Sequence, residues 1–418
     1  MTLDSTLWQE HETLTRRYLL QMGLAAGALP WLGISARGAE PAKDPMAAAI
    51  AKLEYLTPDA TFGFVGRGDP LPYTHPEEKL REVGMTRETW QLEIISDPDA
   101  PAKIETPRSI ETENAVDWDE LMKLAEKHAV KVLKVMTCNN GNKPLGMGLW
   151  EGVPLRELIW TTKPTGDLRR VFYYGYHNDE PKQRFQSSLP IGRVLEDPPG
   201  ESPVLVCYKM NGEYLSGKRG GPVRMLIPEA YGYKSVKWLQ KVVLTNAPYA
   251  NDTYANGNND VDSWMKTMAR FVSHPDKLAA GDSMPITGVA QVGSGGLRKV
   301  QYWLHPADAK WPENDANFLQ APWLDAELLA PPTNWGGGLP EGKLPGGVTS
   351  IDDATSRPQS WPLRYTIVHW AAIIRDAKPG KYALRCRTID ANGIAQPMPR
   401  PFPKSGRCSI DKVDITVS

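Results

Sequence analysis

Apolar positions fall into helical spacing in few places along this chain, most clearly in "AVDWDELMKLAEKH", residues 115–128. Asp117 stands there as a helix cap, Glu120 follows three residues on, and apolar residues then recur at helical spacing. The period next drops to two. "AVKVLKVMTC", residues 129–138, sets Val and Leu against lysines and predicts a strand that runs into a loop at Cys138. "RRVFYYGYHND" (169–179), "SPVLVCYKMNGEYL" (202–215) and "GPVRMLIPEAYGYKSVKWLQKVVLTN" (221–246) are further strand-like runs, separated by Gly, Pro, Asn and Asp turns.

Beyond about residue 282 the texture becomes that of short alternating strands, in "MPITGVAQVGSGGLRKVQYWLHP", "LRYTIVHWAAIIRD", "GKYALRCRTIDANG" and "KVDITVS". This predicts a β-sandwich of roughly immunoglobulin-like size over 281–418, after an α+β domain of mixed sheets over 60–280. Residues 40–59 read as a linker with a short helix, and Trp311 to Trp361 as a long ordered loop. "TPDATFGFVGRGDPLPYTHPEEKL", residues 57–80, is an extended, Pro-interrupted surface crossing of the kind that carries function.

Composition agrees with layered sheets. The 418 residues include 36 Gly, 37 Pro, 14 Trp and 15 Tyr, a turn-rich inventory that argues against long helical bundles. With 48 Lys+Arg against 49 Asp+Glu the net charge is -1, so no global basic field points to nucleic acid or an anionic membrane. Anion specificity has to come from local clusters.

The N-terminal stretch "TLTRRYLLQMGLAAGALPWLGISARGAEPA" carries Arg16-Arg17 ahead of a moderately apolar run and small residues, and predicts a twin-arginine export signal over residues 1–39. A transmembrane anchor is the competing reading, weakened by Gln21, Gly23, Gly27, Pro30 and Gly33 in a run short of about 20 apolar residues. Export by this route implies a protein folded in the cytoplasm, often around a cofactor, that works in the periplasm with no membrane span after signal removal.

Of the four cysteines, Cys138, Cys207, Cys386 and Cys408, none forms a Cys-x-x-Cys or Cys-x-x-Cys-His pattern. The usual sequence grounds for structural zinc, an iron–sulfur cluster or covalent haem are therefore missing. Cys386 and Cys408 leave an export-compartment disulfide open. Cys138, in "KVMTCNNGNKPLG", has three readings: a buried apolar thiol, a thiol nucleophile, or a thiolate ligand in a loop whose glycine lets a bulky cofactor approach.

Four segments in order resemble the sulfite oxidase family of molybdenum enzymes. "TCNNGNK" is similar to the family's Cys-x-Gly-Asn-Arg loop, with one extra residue between Cys138 and Gly141; "LWEGVPLRELI" resembles its Trp-x-Gly-x-x-Leu segment. "NGEYLSGKRGGPVRMLIPEAYGYKSVKWL" looks like the Asn-Gly-Glu, Gly-x-Pro-Val-Arg and Ser-Val-Lys-Trp-Leu landmarks, and "ITGVAQVGSGGLRKVQYWLHPADAKW" like the opening of the dimerisation domain. The resemblance implies the sulfite oxidase fold, a molybdopterin-binding domain followed by the immunoglobulin-like dimerisation domain. It also implies a molybdenum–molybdopterin cofactor, with Cys138 as the metal ligand.

Cofactor-binding expectations fall on Cys138, Asn142, Arg219, Arg224, Ser235 and Lys237, since fixed cations and donors around a glycine-rich turn suit a phosphate and a polar pterin. For catalysis the resemblance points to Arg67 and Lys143 as cations for a small oxyanion, to Tyr254 as the active-site tyrosine with Tyr249 as competitor, and to Arg407 reaching in from the second domain. Four departures from the family's pattern bear on the substrate: Gly68-Asp69 replaces Asn-His after Arg67, Lys143 replaces an arginine, Arg219 stands where histidine is common, and the insertion between the cysteine loop and Trp150 is much shorter than in sulfite oxidases, which implies a more open substrate channel.

The expected activity is periplasmic oxidation of sulfite to sulfate, with electrons leaving to a separate c-type cytochrome because no haem motif occurs in the chain, and with a homodimer as the assembly. Alternatives are another sulfur compound or oxyanion, for example a sulfoxide in a reductase, and an exported binding protein without redox activity.

Overall fold

The computed structural model describes residues 45–418; the expected export signal, residues 1–39, lies outside the described residues. The predicted helix forms over Trp118–His128, and the Glu120 amide donates to the Asp117 carboxylate at 2.8 Å, satisfying one of the free N–H groups of the first turn. Val130–Met136 follows as a strand and pairs antiparallel with Gly146–Pro154, Met136 facing Gly146. Cys138 thus sits in the connection of a hairpin.

Two five-stranded sheets build the first half of the molecule. One runs Val116–Asp117, Gln91–Ser96, Leu239–Thr245, Arg170–Gly175, Gln186–Pro190, and is mixed because Gln91–Ser96 and Leu239–Thr245 are parallel. The other runs Glu213–Tyr214, Leu205–Met210, Gly146–Pro154, Val130–Met136, with Arg224–Leu226 also on Leu205–Met210. Trp90, Leu92, Ile94, Val171, Tyr173, Val206, Met225 and Leu244 share one buried cluster, which is the apolar face both sheets had to cover.

The second half is an eight-stranded sheet folded over a core of Met284, Ile286, Val300, Val368, Trp370, Leu384 and Ile415. It begins with Met268–Ser273, ahead of residue 281, because that strand pairs along Met284–Gln291. Trp311 to Trp361 is more than a loop: Leu324–Leu328 lies between Lys299–Pro306 and Ile367–Ile374 and joins the two layers.

The same segment then returns to the first half. Val130–Met136 is an edge strand, and the Thr349 amide donates to the Lys131 carbonyl (2.9 Å) while the Val135 amide donates to that of Tyr365 (2.7 Å), so the exposed edge is capped. Residues 45–59, expected as a linker, hold a helix over Pro45–Ile50 and bury Tyr55 and Leu56 against Trp335, Met147 and Leu149. Two apolar side chains packed into a core cost the chain its freedom there. No helix among the described residues is long and apolar enough to cross a membrane.

Candidate active site

The Cys138 loop is closed at its base by the Leu145 amide on the Met136 carbonyl (2.8 Å) and turned by the Gly141 amide on the Cys138 carbonyl (2.9 Å). The Gly232 amide holds the Thr137 carbonyl (2.8 Å), and Arg270 donates to the Asn142 carbonyl. The thiol is half-buried and free, with the Asn139 amide oxygen 4.0 Å away. Among the described residues no three His, Cys, Asp or Glu side chains gather to hold an ion, so Cys138 stands as a single soft donor. Four residues earlier, on the strand that leads into the loop, buried Lys134 donates to the carbonyls of Pro228 (2.8 Å) and Ala230 (2.9 Å). Burial lowers its pKa to about 7.

Residues 57–67 run from that hairpin to the predicted substrate cations. The Thr57 amide donates to the Met147 carbonyl (2.8 Å) and that of Gly63 to the Leu145 carbonyl (2.7 Å). Arg219 holds the Phe62 and Gly63 carbonyls (2.9 and 2.8 Å) and pairs with Asp59 at 2.8 Å. Lys237 donates to the Val65 carbonyl (3.2 Å), with its ammonium 3.9 Å from the centre of the Phe64 ring. Arg67 ends the run by donating to the Gln183 and Lys182 carbonyls (2.8 and 3.1 Å) and to the Tyr254 hydroxyl (3.0 Å).

The four basic and hydroxyl residues of the expected cofactor set divide by what they are free to bind. Arg224 spends all three guanidinium nitrogens on the carbonyls of Met225, Arg219 and Ser235, and lies over Trp150; burial brings its pKa to about 10. Ser235 accepts from the Ile227 amide (3.1 Å). These two shape the turn. Lys237 is different: burial, then Arg224, Arg219 and Lys218, hold its pKa well below the usual lysine value, and no carboxylate enters the balance. A cation crowded by cations is relieved by an anion, which is the chemistry a phosphate supplies. Gly220 has φ +98°, and a Cβ there would lie 2.7 Å from the Lys237 stem. The glycine therefore keeps the lysine in place.

Tyr254, and not Tyr249, meets Arg67; Tyr249 is exposed, its ring beside Phe172. The Tyr254 loop is anchored two residues earlier, where buried Asp252 pairs with buried Lys234 at 2.6 Å and accepts from Ser187 (2.6 Å) and Ser188 (2.7 Å). Such a pair is tolerated in a core only when its remaining bonds are made, as here. Asp69 is exposed, with its backbone tied to Gln183, so the acid that replaces histidine after Arg67 faces solvent.

Lys143 and Asn142 are exposed, as is Arg407. The Arg407 amide donates to the Asn139 carbonyl at 3.0 Å, which brings this second-domain segment against the Cys138 loop. Asn142, Lys266, Arg407 and Cys408 are among the residues lining a cavity of about 460 Å³ at that junction. Cys386 and Cys408 are both free; Cys408 sulfur accepts from the Met398 amide (3.0 Å).

Sequence reasoning missed His177, whose ring lies 5.6 Å from that of Trp238 and which burial, Arg67 and Lys237 hold near pKa 4 against one bond to the Gly175 carbonyl. It also missed Lys404, whose ammonium is 3.6 Å from the centre of the Tyr254 ring. The signals were a histidine just past a strand end in "YYGYHND" and a basic, Gly-bearing run in "RPFPKSGRC".

Residues 83–253 match the family described as "Oxidoreductase molybdopterin binding domain". A nitrate reductase [NADPH] of Neurospora crassa is 27% identical over 225 residues, 50% of this chain and 22% of that protein. The mitochondrial sulfite oxidase of Drosophila melanogaster is 26% identical over 196 residues, 46% of this chain and 31% of that protein. Each match thus spans less than a third of the relative's length. Among solved structures, the sulfane dehydrogenase SoxCD of Paracoccus pantotrophus superposes with a TM-score of 0.54 at 14% identity, covering 94% of this chain and 96% of that one, a likeness of fold.

Proposed function

We propose that this chain, a molybdopterin-binding oxidoreductase of the sulfite oxidase family, is a sulfite dehydrogenase that works in the periplasm and passes electrons to a separate c-type cytochrome. When bound, the molybdenum cofactor supplies the two-electron redox chemistry and an oxo group. Cys138 would be the protein's thiolate ligand to molybdenum, and Lys237 would face the cofactor phosphate, while Arg219, bonded to the Phe62 and Gly63 carbonyls and to Asp59, would hold that segment beside it.

The observation that carries the reading is the bond from Arg67 to the Tyr254 hydroxyl. Because that oxygen accepts from the guanidinium, its own proton is free to point at a bound oxyanion, while Arg67 supplies the positive charge. Lys143 and Arg407, exposed and flanking the Cys138 loop, would draw an anion toward the site. The sequence of residues 1–39 supports export, and the β-rich second domain supports a homodimer in the manner the resemblance implies.

Purified protein assayed for sulfite-dependent reduction of cytochrome c, with molybdenum measured by elemental analysis, tests this. The expected result is about one molybdenum per chain and turnover with sulfite. A folded, monodisperse and metal-free protein overturns the enzyme reading. A molybdenum-loaded protein inert to sulfite but active with another sulfur compound or a sulfoxide transfers the site to that substrate.

A further inference from the structure

We propose that Gln183 is a positioning residue for Arg67: its side-chain amide clips the turn that carries Arg67 and its main-chain carbonyl aims the guanidinium, so that oxyanion affinity depends on a residue acting through Arg67. The inference rests on the oxyanion reading above and says what holds its cation in place.

The Gln183 side chain meets residue 69 as one strand meets its neighbour. Its amide oxygen accepts from the Asp69 amide and its nitrogen donates to the Asp69 carbonyl, both at 3.2 Å and across 114 positions of sequence. Both main-chain groups of Asp69 are fixed by one side chain, and the course of the turn is fixed with them. Asn178 reinforces the grip by donating to the Pro70 carbonyl (2.7 Å) and to the Gln183 amide oxygen (2.8 Å). Gly68 leaves room for both: it has φ +107°, and a Cβ there would stand 3.2 Å from each of the two side-chain amides and 3.0 Å from the Pro72 ring. The Gly68-Asp69 pair that follows Arg67 is thus gripped by two amides from a distant loop.

That loop also holds the guanidinium. Arg67 Nε donates to the Gln183 carbonyl and a terminal nitrogen to that of Lys182, while the guanidinium carbon lies 5.4 Å from the centre of the Phe185 ring. Phe185 meets Tyr254 as well, with ring centres 6.2 Å apart. One residue further on, the Gln186 carbonyl accepts from the Thr253 amide (3.1 Å), and the Gln186 amide donates to the Thr253 hydroxyl (3.0 Å). Residues 178–186 therefore grip the Arg67 turn at one end and the Tyr254 loop at the other, and set the separation of the pair. A guanidinium carries five N–H groups. Three are spent on Lys182, Gln183 and Tyr254, which leaves one on each terminal nitrogen for a ligand. An arginine already held in this way loses little freedom when an anion arrives, so losing its support is read as lost affinity.

The full-length, cofactor-loaded protein is compared with its Gln183→Met, Arg67→Met and double variants by sulfite kinetics and by titration with sulfate. Methionine keeps the length of the side chain and loses both bonds to Asp69. Gln183→Met is expected to raise the sulfite KM and the sulfate dissociation constant about fivefold, with kcat changed by no more than about twofold, because the guanidinium is displaced while the Tyr254 loop keeps its bonds to Gln186. In the Arg67→Met background the same substitution is expected to add less than about twofold, since no guanidinium remains to be aimed. Unchanged KM and sulfate affinity in Gln183→Met overturn the inference. So does a full fivefold loss in the Arg67→Met background, which would make the residue structural. If the parent protein does not turn over sulfite, the sulfite reading fails by itself, and a crystal structure of Gln183→Met decides on Gln183: a guanidinium moved by about 1 Å or more from the Tyr254 hydroxyl supports it, an unmoved one overturns it.

Discussion

The Arg67 guanidinium donates to the Tyr254 hydroxyl at 3.0 Å across 187 positions of sequence. That bond orients the phenol proton and places a fixed charge beside it, so the two side chains act as one unit. Arg67→Met is expected to raise the sulfite KM by about tenfold or more through loss of a charge-assisted contact. Tyr254→Phe keeps the ring but removes the proton, and is expected to lower kcat about a hundredfold, with a smaller effect on KM. Steady-state kinetics on both variants, and a double variant whose losses fall short of additive, would check the coupling.

Cys138 is half-buried in a loop whose shape is set by backbone hydrogen bonds, none of them to its sulfur. Cys138→Ser should therefore leave the melting temperature of the cofactor-free protein within about 2 °C, since the side chain is only half-buried and little packing is lost when the smaller oxygen replaces sulfur. Molybdenum-dependent activity should vanish, because a hydroxyl is a poor partner for a soft metal site. Full turnover by this variant would remove Cys138 from the ligand position.

Lys237 gives a prediction with two opposite signs. Its pKa is held down by burial and by three neighbouring cations, so its charge destabilises the cofactor-free fold. Lys237→Met should raise the melting temperature of cofactor-free protein at pH 7 and, in the same variant, lower the molybdenum recovered per chain. A variant that loses both stability and molybdenum would mean that the lysine is structural.

His177 supplies a pH dependence. Its folded pKa of about 4 lies below the ordinary 6.5, with burial the first cause, so between those values the unfolded chain binds more protons than the folded one. Stability from this residue is therefore complete above pH 6.5 and falls as the pH drops towards 4, by on the order of 2–3 kcal/mol over that window. Thermal unfolding followed from pH 7 to pH 4 should fall less steeply in His177→Gln than in the parent. Equal slopes would show that the imidazole titrates as it does in water.

Sequence alone determined the elements whose cause is local. The Asp117 cap, the alternating run of Val130–Met136 and the strands beyond residue 282 follow from side chains within a few positions of one another, and the structure contains each of them. The resemblance pointed to Arg67, Cys138 and Lys237, in that order along the chain. Tertiary structure alone decided which groups are free to act. Arg219 and Arg224, close to Lys237 in sequence, are taken up by backbone carbonyls from residues as far away as Phe62 and Gly63, whereas Lys237 is left crowded and short of acceptors. Tyr254, and not Tyr249, meets Arg67 and Lys404, which come from distant parts of the chain. Charge, burial and hydrogen-bond partners are set by neighbours in space, and a linear pattern carries no record of distances that the folded chain closes only at the end.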